Sequence, residues 1–176
     1  MRIFVLNTGR CGSTTWIKAC QHVNNYSAAH ESRVQHIGDE RLAYADNHIE
    51  ADNRLSWYLG RLDELFGNDA FYVHLSRKLE DTVQSFAKRT DFGIMQAYRE
   101  GILIDADPAF TAEALAQDYV QTVESNIALF LKDKENTLEA RLETGKQDFT
   151  RFWGKIAASG DLDKALAEFD VLHNHS

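Results

Sequence analysis

Residues 8–16 read TGRCGSTTW. They follow MRIFVLN and lead into IKACQHV. An apolar strand over residues 2–7 therefore stops, turns through Gly9 and Gly12, and becomes a helix over 13–23 with Ser13 as the expected N-cap. A helix N-terminus presents unpaired N–H groups and the positive end of its dipole. The two glycines permit close backbone approach. Arg10 adds a cationic fork, and Ser13, Thr14 and Thr15 add hydroxyl donors. Every one of these groups can donate to an anion. The competing reading is a capped helix after an ordinary turn.

Two familiar phosphate loops do not fit. The nucleoside triphosphatase pattern GxxxxGK(S/T) needs a lysine after its second glycine, and Gly12 is followed by Ser13. A tyrosine phosphatase needs its nucleophilic cysteine ahead of an arginine, and here Arg10 precedes Cys11.

Further along, AFYVHLS (70–76) is a second strand, rich in aromatic and β-branched residues, and residues 79–89 form its helix. Two strand–loop–helix units predict a three-layer α/β fold, a mostly parallel sheet flanked by helices, with a P-loop-like unit at the N-terminus. Ligands in such sheets bind at the carboxyl ends of the strands. That places Gly9–Thr15 and Ser76–Lys78 on one rim. Arg77, with Ser85 eight residues on and Lys88 and Arg89 beyond, forms a second basic element, or else a solvated helix face. The remaining periodicity predicts helices over 53–66, 92–101, 109–132, 147–158 and 161–168, and a polar loop over 24–51.

The two elements together resemble the sulfotransferases that use 3′-phosphoadenosine 5′-phosphosulfate (PAPS). Their first motif, commonly (K/R)SGTT(W/L), holds the 5′-phosphosulfate. Their second, a strand followed by RDP and a serine about eight residues on, holds the 3′-phosphate. The resemblance covers the first ninety residues. It implies Arg10, Cys11, Gly12, Ser13, Thr14 and Thr15 at the phosphosulfate and Arg77 and Ser85 at the 3′-phosphate, with PAPS as donor and no metal. Arg10 would also serve catalysis. Cys11 replaces the usual serine, and Lys78-Leu79 replaces Asp-Pro. The family's adenine-flanking tryptophan falls at Thr15. Trp16 is one residue late, a turn of about 100° on a helix, and is expected in the core.

Sulfuryl transfer needs a base at the acceptor proton. HESRV (30–34) is similar to a stretch in the protein-tyrosine-sulfating branch, and that likeness implies Glu31 as base and Arg33 as helper. His30 and His36 are the alternatives. Asp46, Asn47, His48, Glu50 and Asn53 either line a pocket for a polyhydroxy acceptor or act as caps and turns. His173 and His175 belong to a frayed end or to a tail folded over the site. A nucleotide kinase-like phosphotransferase and a non-catalytic nucleotide-binding relative remain as other readings.

The whole chain sets the frame. Its 176 residues suit one domain over 1–176. A net charge of −8 argues against a general nucleic-acid binder, while leaving room for a local basic pocket. Cys11 and Cys20 suit neither a disulfide nor a metal spacing. No secretory signal or membrane-length apolar run is visible, so a cytoplasmic location is expected. The partner expected is a small-molecule or carbohydrate acceptor, and the oligomeric state is left open.

Overall fold

The structure, a computed structural model, describes residues 1–104, 107–171 and 173. Five strands form one sheet: β1 (Arg2–Leu6), β2 (Ser27–His30), β3 (His48–Ala51), β4 (Ala70–Ser76) and β5 (Thr137–Arg141). The helices are α1 (Ser13–Cys20), α2 (Leu59–Phe66), α3 (Leu79–Ala87), α4 (Gly93–Ala97), α5 (Ala112–Leu131), α6 (Gly145–Lys155) and α7 (Leu162–Ala167). The strand order is β2-β3-β1-β4-β5, and every pairing is parallel.

Alternation along the central strands builds two cores. Ile3 and Val5 of β1 and Phe71, Val73 and Leu75 of β4 face α1, α6 and α7, where they meet Trp16, Ile17, Phe149 and Phe152. Phe4, Leu6 and Tyr72 face the opposite layer, with Leu62 of α2, Val83 and Phe86 of α3 and the inner stripe of α5. Strands covered on both faces read as unbroken apolar runs, as RIFVL and AFYVHLS do.

From β1 the chain passes through α1 to β2 on one side, and from β4 it passes to β5 on the other. The strand order reverses between β1 and β4, and the carboxyl ends of these two strands flank the crevice. The loop Gly9–Thr15 and the residues after Ser76 meet there.

Several boundaries differ from the sequence expectation. Residues 24–51 are not a loop. They contain β2, a 3-10 turn at Gly38–Leu42 and β3. The expected helix 53–66 begins as a separate 3-10 turn, Asn53–Trp57, capped by Asp52, before α2. Residues 92–101 form α4 and then a π turn, Tyr98–Ile102. Strand β5 was hidden by its polar alternation, TLEAR. Helix α1 stops at Cys20. Its N-cap is Gly12, in the left-handed region at φ 90°, and Ser13 is the first helical residue rather than the cap. Trp16 lies in the core as expected, edge-on to Phe149. His175 lies outside the described residues.

Candidate functional site

The loop after β1 is built on buried polar bonds. Asn7 accepts from the Gly9 N–H at 2.8 Å, and its amide donates to the Val5 carbonyl at 2.9 Å. The Thr8 carbonyl accepts from the Tyr119 hydroxyl of α5 at 2.8 Å, and Ser56 donates to the Asn7 carbonyl at 3.1 Å. Satisfied buried polar groups of this kind fix a backbone rather than merely tolerate it. Gly9, Arg10 and Gly12 all have positive φ, of 88°, 60° and 90°. At Gly12 a Cβ would also meet Leu142 Cδ1 at 2.5 Å, so only glycine fits both the conformation and the space.

A cleft of about 710 Å³ opens above this loop. Among the described residues, its lining includes Gly9, Arg10, Gly12, Ser13, Thr14 and Thr15 from the loop and α1, and Arg77 from the end of β4. His30 at the end of β2 and Glu31 after it enter from one side, and Asn53 and Arg54 from the 3-10 turn after β3. Phe86 of α3, Arg89 just beyond it and Phe92–Met95 form one wall. Leu142, Phe169, Val171 and His173 form another. His173 lies within reach of Glu168, at 2.9 Å, and this part of the tail does fold onto the site.

The basic groups converge. Arg10 Nε donates to Ser85 Oγ at 2.9 Å, and Arg77 Nη1 donates to the Arg10 carbonyl at 3.5 Å. Burial, then the like charges of Arg89 and Arg77, pull the Arg10 pKa below its ordinary value. Guanidinium groups held this close repel one another, and an anion between them relieves both the repulsion and the desolvation. Ser13 Oγ lies 3.0 Å from His30 Nε2, which ties the loop to the end of β2.

Glu31 follows β2 directly. Its backbone is in the left-handed region, φ 51°, a strain of about 1–3 kcal/mol for a residue with a side chain. Its carboxylate pairs with Arg54 at 3.0 Å, and Arg54 also donates to Asn53 Oδ1 at 3.3 Å.

Of the expected site residues, Arg10, Gly12, Ser13, Thr14, Thr15, Glu31 and Arg77 share the cleft, and Ser85 is joined to it through Arg10. Cys11 is a correction. Its side chain is fully buried in the core, and only its backbone belongs to the loop. Burial, then Glu124, pushes its thiol up to about 12. Arg33 is a second correction. It turns to Glu40 at 2.9 Å and lies over Tyr44, and Arg54 takes the place beside Glu31. For Asp46, Asn47, His48, Glu50 and Asn53, where a pocket and structural roles were both open, most take structural roles. Asp46 pairs with Arg2, Asn47 accepts from the N-terminal amine, and His48 opens β3, all at the amino ends of the strands. Glu50 is buried, and only Asn53 of that set lines the cleft. His36 is exposed and away from the cleft lining. Arg54, the α4 wall and Leu142 were missed. Arg54 had a signal, a cation just after a strand, but β3 itself was not recognised.

No protein-family model matches the chain, and no curated protein matches it. Two solved structures do. A sulfotransferase domain from the curacin biosynthetic pathway superposes with a TM-score of 0.67 at 14% identity, over 94% of this chain and 76% of that one. The mouse sulfotransferase SULT7A1 complexed with PAP superposes with a TM-score of 0.53 at 14% identity, over 96% of this chain and 62% of that one. The chain has the sulfotransferase fold.

Proposed function

We propose that this protein is a sulfotransferase that moves a sulfuryl group from PAPS to a hydroxyl or amine of a small-molecule or carbohydrate acceptor. One observation carries the reading: within a sulfotransferase fold, the glycine-bearing loop after β1 and the arginine after β4 meet over one cleft, with Ser85 of α3 bonded to Arg10. The PAP complex of the mouse neighbour supports the choice of donor. The cation stands ahead of Gly12 instead of after it, which separates the loop from the triphosphate pattern.

In this reading the N–H groups and hydroxyls of Gly12–Thr15 hold the phosphosulfate, with Arg10 beside them. Arg77 and Ser85 take the 3′-phosphate, and Arg89 adds positive charge. The acceptor oxygen attacks sulfur while the bond from sulfur to the bridging phosphate oxygen breaks. Glu31 takes the acceptor proton, and the leaving phosphate keeps the bond's electron pair among the arginines and loop donors. No step of this reading asks for a metal.

Titration calorimetry tests the donor assignment. PAP is expected to bind, and Arg77→Ala to weaken it tenfold or more, since hydrogen bonds to charged groups are worth about 1.5–3 kcal/mol. Equal affinity for PAP and adenosine 5′-phosphate would remove the 3′-phosphate seat. Magnesium-dependent ATP binding in place of PAP binding would favour a phosphotransferase.

A further inference from the structure

The residues around Glu31 form an arrangement that the donor site does not require. Three consecutive residues at the carboxyl end of β3 and its exit hold the Glu31 turn and its ion-pair partner. The Ala51 carbonyl accepts the Glu31 N–H at 3.0 Å. Glu50 Oε1 accepts the Ser32 N–H at 2.7 Å, and Glu50 Oε2 accepts the Ser32 hydroxyl at 2.6 Å. Asp52 Oδ1 accepts the Arg54 N–H at 2.9 Å, while Arg54 Nη1 reaches Glu31 at 3.0 Å. Asp52 Oδ2 accepts from Arg41.

Glu50 and Asp52 are both 0% exposed. A buried carboxylate is costly unless paired and hydrogen-bonded, and an apolar side chain in a strand interior avoids that cost. Ile49 and Ala51 of the same strand show what packing alone selects. Each acidic neighbour instead gives acceptors to the two segments that place Glu31, while Glu50 Oε2 also meets His48 Nε2 at 3.0 Å and Asp52 Oδ2 meets Arg41. One fixes the residue after it, in a turn whose positive φ needs support. The other fixes the backbone of Arg54.

We infer that Glu50 and Asp52 are positioning residues, which hold Glu31 and Arg54 in a fixed relation at the cleft so that the Glu31 carboxylate faces the acceptor. This rests on the sulfotransferase reading and on Glu31 as its base. Neither residue lines the cleft, so each acts through another: Glu50 through Ser32, and Asp52 through Arg54. Such support from behind a reacting group is how a site keeps its geometry without touching substrate.

The experiment uses the full chain with PAPS and no added acceptor, reading sulfate release by transfer to water, with PAP binding measured in parallel. Glu31→Gln is expected to lower turnover about a hundredfold. Glu50→Gln and Ser32→Ala are expected to lower kcat about tenfold, while the KM for PAPS and the Kd for PAP stay within about twofold. Arg54→Met is expected to fall further than Arg54→Lys, which keeps the charge. Ser32→Ala guards against misfolding, because it removes one hydroxyl bond and nothing buried. Amide exchange at Ser32 reads the support without turnover, and is expected to quicken at least tenfold in Glu50→Met. If Glu31→Gln lowers turnover while Glu50→Gln, Ser32→Ala and Arg54→Met leave kcat within twofold, the positioning role is overturned and the function stands. If Glu31→Gln changes nothing, both the base and its positioning fall. If PAP does not bind, the function itself fails.

Discussion

Arg41 and Arg10 are both drawn away from water, and their surroundings are opposite. Arg41 is 1% exposed, donates to the buried Asp52 and to the Tyr44 hydroxyl at 3.1 Å, and lies over the Tyr58 ring at 4.9 Å. Arg10 is half-buried, donates to neutral Ser85, and faces the like charges of Arg89 and Arg77. His74 belongs with Arg41: it sits between Glu124 at 2.7 Å and Glu139 at 3.1 Å. In one region each cation carries its counter-charge within the fold. In the other, cations of one sign gather at the mouth of a cleft. In a protein of net charge −8, Arg77 of that cluster keeps a long contact to Asp81, at 3.8 Å, and the strongest influences on Arg10 are burial and like charge. A buried pair answers to stability, whereas gathered like charges are an arrangement that functional clefts often share.

The largest expected effect breaks the paired region. Arg41→Met strands the buried Asp52 carboxylate and is expected to cost about 3–5 kcal/mol in urea unfolding, because one partner of a buried pair is removed. Replacing both, as Arg41→Met with Asp52→Leu, is expected to recover most of that stability. Arg10→Ala is expected to stay within about 0.5 kcal/mol of wild type. A loss at Arg10 equal to that at Arg41 would erase the contrast.

The next effect is pH-dependent. Burial opposes a charged His74, but hydrogen bonds and attraction from Glu124 and Glu139 outweigh it and raise its pKa to about 9. A histidine whose folded pKa is raised stabilises the fold fully below its unfolded value, about 6.5, and loses that contribution as pH rises through the folded one. Stability is therefore expected to fall between about pH 6.5 and 9, by on the order of 1–3 kcal/mol. His74→Gln is expected to flatten that slope. An unchanged slope in the variant would mean that the triad is not the source.

The contrast also explains what the sequence disclosed. The loop after β1 was legible because its chemistry is local: glycines with positive φ, a cation and hydroxyls follow one apolar strand. Arg77 was legible for the same reason, and parallel-sheet logic alone set the two side by side. The β2–β3 region was not. SAAH and HIEA are short, and the acidic residues of β3 read as turn formers because their partners are distant in sequence. Glu50 serves Ser32, eighteen positions away, and Asp52 serves Arg41, eleven away. Periodicity cannot register a bond whose partner is unknown. The HESRV stretch named a carboxylate that lines the cleft, but the arginine beside it is Arg54, adjacent in space, and not Arg33, adjacent in sequence. Trp16 went the other way: one residue of helical phase was enough to send it to the core.

The smallest expected effect concerns Cys11, the one loop residue whose side chain belongs to the core rather than the cleft. Burial, then Glu124, pushes its thiol up to about 12, so it carries almost no thiolate at neutral pH. Native protein at pH 8 is therefore expected to resist iodoacetamide at Cys11, and labelling is expected to appear only when urea unfolds the chain. Cys11→Ala is expected to cost about 1 kcal/mol of stability and to leave PAP affinity within about twofold, less than 0.5 kcal/mol. A larger loss of affinity would mean that the side chain shapes the loop as Gly12 does.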